Sequence, residues 1–422
     1  MAVPKLSRRV WIGAGSAAAL SVPLGMWILH EPRVPDGPLG PLRRDPNRVF
    51  DLAPGFEYQI VDRVRRRMTD GYLVPPRPDG MACFEGEDGA IVLMRNHELP
   101  VGFRDRAIGR RWPRVAYDPE GAGAVTRVVL DAATLEVRSS NLVLCGTSMN
   151  CSGGPSPWGW LSCEEDPGDP THGFVFLCDP AATEAAPPNR IDGYGRFKHE
   201  AAAVLDGSHV CYLTEDQVDG CLYRFVPHDP AAPFEGRLQA MRIRGGDADT
   251  APLRTGERRD IDWIDLANPT PLEDDLRETA RRAGAARVKR GEGVCIAEGR
   301  VHVVATTGGP IDAGQIFRIE DGADRGTLEV LAASEDRGRM DMPDNVTAAP
   351  DGTIFFVEDG SGQDLLRYVT ADGRVLPLGR NAGSDGEIAG VCFSPDAQTL
   401  FVNLQEEGLT LAIRGPFATL RG

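Results

Sequence analysis

Carboxylates and one cysteine recur along this chain at the ends of short apolar runs, a pattern that could bind metal ions. Each of six such residues opens an apolar segment, a turn and a second apolar segment, which closes on another polar residue 14 to 19 positions later. The opening residues are Asp79, Cys151, Glu200, Glu292, Asp344 and Glu387, and the closing residues are Glu98, Glu165, Glu215, Thr307, Glu358 and Gln405. Carboxylates suit Ca²⁺, and a thiolate among oxygen ligands suits a transition metal. The pattern predicts a metal centre if the fold brings the opening residues together.

The element that must position these residues is a pair of antiparallel strands. In such a pair, the start of the first strand and the end of the second lie at the same edge. The openings recur every 43 to 92 positions, which is the repeat of propeller blades. We therefore predict an all-β, six-bladed β-propeller over residues 33–422, with the opening residues around one central mouth. The alternative, that the acidic residues only mark solvated turns, stays open.

One segment of the mature chain has a helical pattern. Residues 271–289 place Leu272, Leu276 and Ala280 at amphipathic spacing among charged residues. The segment lies in the widest gap between openings, so we predict a helical insertion between blades. It either roofs the mouth or is a surface helix without a role in the site.

The first 32 residues have the character of a targeting segment. Arg8 and Arg9 precede an apolar run from Ile12 to Leu29 that contains no carboxylate. This predicts a twin-arginine signal, recognised by the export machinery that carries folded, metal-loaded proteins to the periplasm or beyond. Because no A-x-A cleavage site follows, an uncleaved segment that tethers the protein to the membrane stays open, as does a plain membrane anchor.

Charge and residue usage exclude several other classes of protein. A net charge of −16 without a basic stripe argues against nucleic acid as a partner. The nine cysteines have no C-x-x-C spacing, so neither a zinc ribbon nor a regular disulfide framework is indicated. Cys83, Cys295 and Cys392 lie in apolar runs and are expected to be core thiols. No histidine opens a repeat, which disfavours a zinc hydrolase.

Arg290 is the candidate anion-binding residue. It stands two positions before Glu292, and strand alternation can place both side chains at the same rim. A guanidinium there could hold a tetrahedral oxyanion through two parallel hydrogen bonds. An ordinary salt bridge to a carboxylate is the open alternative.

At these residues the chain resembles the PhoX-type alkaline phosphatases, a family of exported bacterial phosphatases with a six-bladed propeller. The resemblance rests on RNHE (95–98), NCSGGPSPWGWLSCEE (150–165), YGRFKHEAAAV (194–204), RGEGVCIA (290–297), PDN (343–345) and GEIAGVCFSPDAQTLFVNLQ (386–405). It implies hydrolysis of small phosphomonoesters with two oxide-bridged Fe³⁺ ions and Ca²⁺ ions as cofactors. It also implies that Cys151 is an iron-bridging thiolate and that Arg290 binds phosphate.

The resemblance and the repeats together define the predicted site. Arg290 and Cys151 are the candidate catalytic residues. The candidate metal ligands are Cys151, Glu165, Glu200, Glu292, Asp344, Glu98, Asn96 and Glu387. We expect a monomer. Two other functions stay open: a calcium-dependent propeller lactonase or phosphotriesterase, which would not need Cys151, and a non-catalytic calcium-stabilised binding propeller.

Overall fold

The computed structural model describes residues 34–109, 112–322, 325–360 and 362–420. Across these residues the chain forms 25 β-strands and two short α-helices, α1 (Arg104–Ala107) and α2 (Leu276–Arg282). The predicted signal segment over residues 1–32 lies outside the described residues and stays a prediction. In the part of the chain that the structure covers, no helix is both long and apolar enough to cross a membrane.

The strands are short and follow one another through turns. In chain order they are β1 (Phe50–Leu52), β2 (Glu57–Arg63), β3 (Pro78–Glu85), β4 (Ile91–His97), β5 (Gly123–Leu130), β6 (Val137–Thr147), β7 (Asn150–Ser156), β8 (Gly159–Glu164), β9 (Val175–Cys178), β10 (His199–Val204), β11 (Cys211–Glu215), β12 (Leu222–Pro227), β13 (Gly236–Ile243), β14 (Arg258–Asp265), β15 (Gly291–Ala297), β16 (Arg300–Ala305), β17 (Gln315–Glu320), β18 (Gly326–Ala333), β19 (Pro343–Ala348), β20 (Ile354–Glu358), β21 (Leu365–Val369), β22 (Val375–Asn381), β23 (Ile388–Phe393), β24 (Thr399–Leu404) and β25 (Leu409–Arg414). All pairings between them are antiparallel, as the repeat pattern predicts.

Hydrogen bonding groups these strands into five sheets. Strands β3–β6 form one sheet and β7–β9 another, while β10–β14 and β15–β18 join through β14 and β18 into a nine-stranded sheet. The last two sheets each take a strand from the start of the chain: β1 pairs with β22, and β2 pairs with β25. The beginning and end of the propeller are thus held in the same sheets, which is how such folds close.

The first strands of the six repeats line the centre of the molecule. Strands β3, β7, β10, β15, β19 and β23 pack each against the next, and β23 packs against β3, so the ring is closed. The all-β propeller fold predicted from the repeats is therefore confirmed. The opening residues Asp79, Cys151, Glu200, Glu292 and Asp344 all lie on these inner strands.

Burial on both faces explains why the strands read as continuous apolar runs. Every residue of β4 and β20 is buried, because neighbouring sheets pack face to face and leave neither face in water. The inner strands approach one another so closely that glycine is required in places. A Cβ on Gly154 of β7 would lie 1.7 Å from the carbonyl oxygen of Ala202 on β10.

The helical insertion exists but is shorter than the 271–289 predicted. Helix α2 follows Asp275, and Gly284, with φ of +101°, lies just beyond its C-terminal end. Residues 285–289 are not helical. Leu276 is buried, whereas Leu272 is 78% exposed, so the predicted apolar face was wrong at its first position. Residues 272–274 form bends, so the helix begins only at Leu276.

Candidate metal centre

A β-bulge marks the opening residue in five of the six inner strands. The register between first and second strand shifts at Pro78/Met81, Asn150/Gly153, His199/Ala202, Gly291/Val294 and Pro343/Val346. Asp79, Cys151, Glu200, Glu292 and Asp344 each lie inside one of these interruptions. A bulge bends its strand and changes the direction of a side chain. The same local distortion therefore orients five different residues around the central axis.

The backbone just before these residues repeats a second unusual feature. Arg77, Met149, Arg290 and Met342 each stand two positions before an opening residue, and their φ angles are 52°, 49°, 53° and 53°. For residues with a Cβ, this left-handed conformation costs of order 1–3 kcal/mol and persists where the surrounding structure requires it. The chain therefore enters four inner strands through the same strained turn.

The structure brings the predicted ligands together in two overlapping groups. In one, ligand atoms of Glu98, Cys151 and Glu165 lie within 4.8 Å of one another. In the other, the same is true of Glu165, Glu200 and Glu292. Glu165 belongs to both, so the two groups are adjacent and share a carboxylate. The arrangement is a mixed sulfur and oxygen group beside an all-oxygen group.

Asp79 and Asp344 flank these groups on either side. The Cys151 thiol points at Asp79 Oδ2, 3.6 Å from its sulfur, and Asp79 Oδ2 also accepts a hydrogen bond of 2.6 Å from Gln405 Nε2. The Asn345 amide donates to Asp344 Oδ1 at 3.0 Å and to Glu200 Oε1 at 3.5 Å. The acidic site therefore extends across at least five of the inner strands.

Burial and charge make this site unfavourable without cations. Asp79, Glu98, Glu200 and Glu292 have no exposed surface, and Glu165 is 5% exposed. Burial raises the pKa of Glu200 well above its ordinary value, and the charges of Glu292, Glu165 and Asp344 raise that pKa further. Carboxylates packed this closely repel one another unless positive charge neutralises them. The residues present therefore fit bound metal ions, with a thiolate donor on one side and hard oxygen donors on the other.

Three basic side chains approach the carboxylates. Arg77 Nη2 lies 2.6 Å from Glu98 Oε2, Lys198 Nζ lies 3.2 Å from Glu165 Oε1, and Arg290 Nη2 lies 2.7 Å from Glu292 Oε1. Their side chains are 24%, 23% and 17% exposed, so each reaches solvent at the rim while touching the buried site. Arg290 and Glu292 lie at one rim in this structure, and their contact is compatible with both the anion-binding role and the ordinary salt bridge.

Asp216 holds two of these basic side chains, Arg290 and Lys198, next to each other. It accepts hydrogen bonds from Arg290 Nε at 2.7 Å and from Lys198 Nζ at 2.5 Å. Asp216, Lys198 and Arg77 were missed by the sequence analysis, although a usable signal existed. Arg77 and Lys198 stand two positions before Asp79 and Glu200, the same spacing that singled out Arg290 before Glu292.

Asn96 has a different position from the one expected of a ligand. Its Nδ2 donates to the carbonyl oxygens of Ser152 and Cys151 at 2.6 and 3.3 Å. Its Oδ1 accepts hydrogen bonds from Trp160 Nε1 and Ser162 Oγ at 2.8 and 2.9 Å. The amide is thus occupied in holding the strand that carries Cys151, a positioning role, and its predicted role as a ligand stays a prediction.

Glu387 belongs to neither of the two ligand groups that share Glu165. In β23 the register shift falls between Ala389 and Val391, so Gly390 occupies the bulge that holds an opening residue in the other inner strands. A Cβ at Gly390 would lie 2.3 Å from the carbonyl oxygen of Asp79. Glu387 precedes the strand, and burial together with the charges of Asp359, Glu358 and Glu387 raises the pKa of Asp364 well above its ordinary value. We therefore leave Glu387 out of the proposed ligand set.

The closing glutamates at the ends of β11 and β20 organise loops. Glu215 Oε2 accepts hydrogen bonds from the Cys221 N–H and the Tyr223 hydroxyl at 3.1 and 2.8 Å. Glu358 Oε1 accepts from the Asp341 N–H and from Arg367 Nε at 2.8 and 2.5 Å. Burial raises the pKa of Glu215 to about 7. At these two strand ends, hydrogen bonds account for the glutamate without a metal.

The two histidines beside candidate ligands make structural contacts. His97 Nε2 lies 2.9 Å from Thr126 Oγ1, and His199 stacks on Phe197 with ring centroids 3.5 Å apart. Burial lowers the pKa of His97 well below its ordinary value and that of His199 to about 3. Both rings are therefore neutral and packed into the wall behind the site.

The fold and the site together define a β-propeller whose mouth is built to hold cations, and comparison with known proteins narrows this class. The sequence pattern of the family described as alkaline phosphatase PhoX matches residues 104–408. The chain belongs to the PhoX alkaline phosphatase family, and it is accordingly a metal-dependent phosphatase. No curated protein sequence matches it.

Solved structures give the same fold. PhoX of Pseudomonas fluorescens, solved with vanadate as a transition-state analogue, is 18% identical, with a TM-score of 0.70 over 91% of this chain and 98% of that one. A gluconolactonase from Xanthomonas campestris is 12% identical, with a TM-score of 0.43 over 86% of this chain and 96% of that one. Only the first similarity is strong enough to support the fold assignment.

Proposed function

We propose that the protein hydrolyses small phosphomonoesters at the centre formed by its inner strands. The observation that carries this proposal is the pair of ligand groups sharing Glu165, with the cations Lys198 and Arg290 at their edge. Phosphoryl transfer to water depends on positioning and on neutralising the phosphoryl oxygens. Buried metal ligands next to fixed cations at a solvent-reached rim meet both needs.

We propose that the ligands hold iron and calcium. Cys151, Glu98 and Glu165 would bind iron, and Glu165, Glu200, Glu292 and Asp344 would complete the iron and calcium sites. The support is the chemistry of the donors, since a thiolate favours a transition metal and clustered carboxylates favour hard cations. The family resemblance extends this to two ferric ions that share an oxide. When bound, these metals supply the positive charge that stabilises phosphoryl oxygens in the transition state.

Arg290 is proposed to bind the phosphoryl group. Its Nε and Nη2 contact Asp216, and Nη2 also contacts Glu292, so the plane of the guanidinium is fixed before substrate arrives. A preorganised donor stabilises developing charge without reorganising during the reaction. The Pseudomonas PhoX complex with vanadate shows that a relative holds a phosphoryl-like oxyanion.

A substrate comparison tests the proposed reaction. Purified protein should hydrolyse p-nitrophenyl phosphate and leave a phosphotriester and a γ-lactone essentially unchanged, because only the dianionic monoester matches the metal and arginine charges. Rates would be measured on all three substrates with one preparation. Turnover of the lactone or triester without turnover of the monoester would favour the calcium-dependent propeller hydrolase, and no turnover of any would favour a binding propeller.

Lys198 is proposed to add a second cation to phosphate binding. Replacing Lys198 by Met keeps the aliphatic stem and removes the charge, so kcat/KM for the monoester should fall about tenfold, the worth of one charged hydrogen bond. Iron content should be unchanged. Lys289→Met is the matched control, because Lys289 is 21% exposed and pairs only with the exposed Asp312 among the ion pairs described. Equal kinetics in the two variants would remove Lys198 from the site.

We propose that the propeller has six blades. The support is the closed ring of six inner strands, with the nine-stranded sheet counted as two blades joined at their outer strands.

We also propose export through the twin-arginine route, on the evidence of Arg8, Arg9 and the apolar run that follows. Changing both arginines to Lys should leave folded, metal-loaded protein in the cytoplasm. Cell fractionation followed by an activity assay measures this, with a variant of the distant pair Arg43 and Arg44 as the control. Normal export of the Arg8→Lys, Arg9→Lys variant would show that the segment has another role.

A further inference from the structure

Two cysteines meet where the ring of inner strands closes. Cys83 lies on β3, the first inner strand, and Cys392 lies on β23, the last. These strands pack directly against each other. The two sulfur atoms are 3.6 Å apart, although the residues are 309 positions apart in sequence. Both cysteines are free thiols in this structure.

The surroundings of the pair suit a cross-link better than a metal. Cys83 and Cys392 belong to one apolar cluster with Met81, Phe401 and Val61, and Asp396 is a carboxylate whose charge reaches Cys83. They also line the central channel, a cavity of about 680 Å³ enclosed by the inner strands. Cys83 is half-buried and Cys392 is buried. The channel gives a small oxidant a path to the sulfur atoms.

We propose that Cys83 and Cys392 form a disulfide that closes the propeller ring covalently. In this step an Sγ–Sγ bond forms and two S–H bonds are lost. Two electrons and two protons pass to a disulfide oxidant, which is reduced to two thiols. The sulfur atoms need to move together by only a small distance, and the strands that carry them are already in contact. The proposal is independent of the phosphatase activity.

The position of the pair gives the cross-link a physical consequence. A disulfide restricts the unfolded chain more strongly as the loop that it closes becomes longer, and this one would span most of the propeller. It would join the first and last inner strands, which belong to two adjacent sheets. The sheet of β23 is already closed at its outer edge by the hydrogen bonds between β2 and β25. Export to an oxidising compartment, proposed above, is where such bonds persist.

The ionisation of Cys83 sets the conditions for the test. Burial and the nearby Cys392 raise the pKa of the Cys83 thiol well above its ordinary value. Because the thiolate is the reacting species, oxidation of the folded protein should be slow at neutral pH and faster in alkaline buffer. Oxidised glutathione at alkaline pH, and separately the small oxidant diamide, are therefore the reagents of choice.

The experiment compares the reduced and oxidised full-length protein. Thiol titration after denaturation should fall from nine to seven per chain, and peptide mapping without reductant should show one linked pair containing Cys83 and Cys392. The thermal midpoint should rise by about 5 °C. Cys392→Ser should abolish both the linked pair and the shift, while Cys295→Ser, which changes another thiol of the channel, should abolish neither. Nine free thiols after both oxidants, or a linked pair of other cysteines, would overturn the proposal.

Discussion

Cys151→Ser is expected to give a folded but colourless protein without iron. The thiol of Cys151 is fully buried, and its sulfur lies within 4.8 Å of carboxylate oxygens of Glu98 and Glu165. Its loss therefore removes the one sulfur donor of that group. Phosphomonoesterase activity should fall by about 10³-fold or more, since metal charge stabilises the transition state by several kcal/mol. Iron analysis, visible absorption and turnover measured on the same sample test this expectation.

The matched control for this variant is Cys178→Ala. Cys178 is a buried thiol on β9 of the same sheet, packed among apolar side chains away from the carboxylates. Its replacement should lower the free energy of unfolding modestly and leave iron and turnover intact. If Cys151→Ser behaves like this control, Cys151 is a core thiol, and the centre contains carboxylates alone.

Arg290→Ala is expected to keep its metals and lose activity by about 10²–10³-fold, the usual loss when one preorganised donor to transition-state charge is removed. Folding should survive because Asp216 retains its contact with Lys198. Inhibition by inorganic phosphate should weaken in parallel, because the product presents the same oxygens to the guanidinium. Arg290→Lys should recover only part of the activity, since an ammonium cannot make the paired contacts with Asp216 that fix the guanidinium.

Arg287→Ala supplies the control for charge and position. Arg287 lies three residues earlier and pairs with Asp249, with both side chains 29% exposed. Its loss should change kcat/KM less than twofold, as surface ion pairs contribute little. Unchanged phosphate inhibition in Arg290→Ala, with activity like that of Arg287→Ala, would show that the Arg290 contacts are an ordinary salt bridge.

The strand-pair rule explains how much of the site could be predicted from the sequence. Cys151, Glu165, Glu200 and Glu292 were found because antiparallel geometry brings the two ends of each strand pair to one edge. The contacts of Asn96 and Glu387 could not be predicted, because they depend on tertiary packing: the Asn96 amide donates to the carbonyl oxygens of Cys151 and Ser152 on β7, and Glu387 precedes its inner strand. Gly390, the residue in the sixth bulge, carries no side chain that could have revealed it.

The predictions of the basic side chains and of the helix were incomplete for different physical reasons. Lys198 stands two positions before Glu200, the same spacing that singled out Arg290 before Glu292, so its place could have been predicted. Asp216, which accepts hydrogen bonds from both side chains, is brought to them by tertiary packing and could not be found from local spacing. Helix α2 was predicted too long because its amphipathic pattern continues past Gly284, where the chain instead bonds to neighbouring strands. The Ala286 N–H, for example, donates to the carbonyl oxygen of Met241 on β13. Tertiary hydrogen bonds thus replaced local helical ones.

Elemental analysis of active protein, purified without added metal, tests the central claim most directly. The site of two groups sharing Glu165 predicts iron and calcium together in the wild-type protein, with visible absorption from the thiolate and iron and with phosphomonoesterase activity in the same fractions. Active phosphatase that contains zinc as its only metal, or that contains calcium without iron and is colourless, would contradict the assignment of Cys151 and its neighbouring carboxylates as an iron and calcium centre.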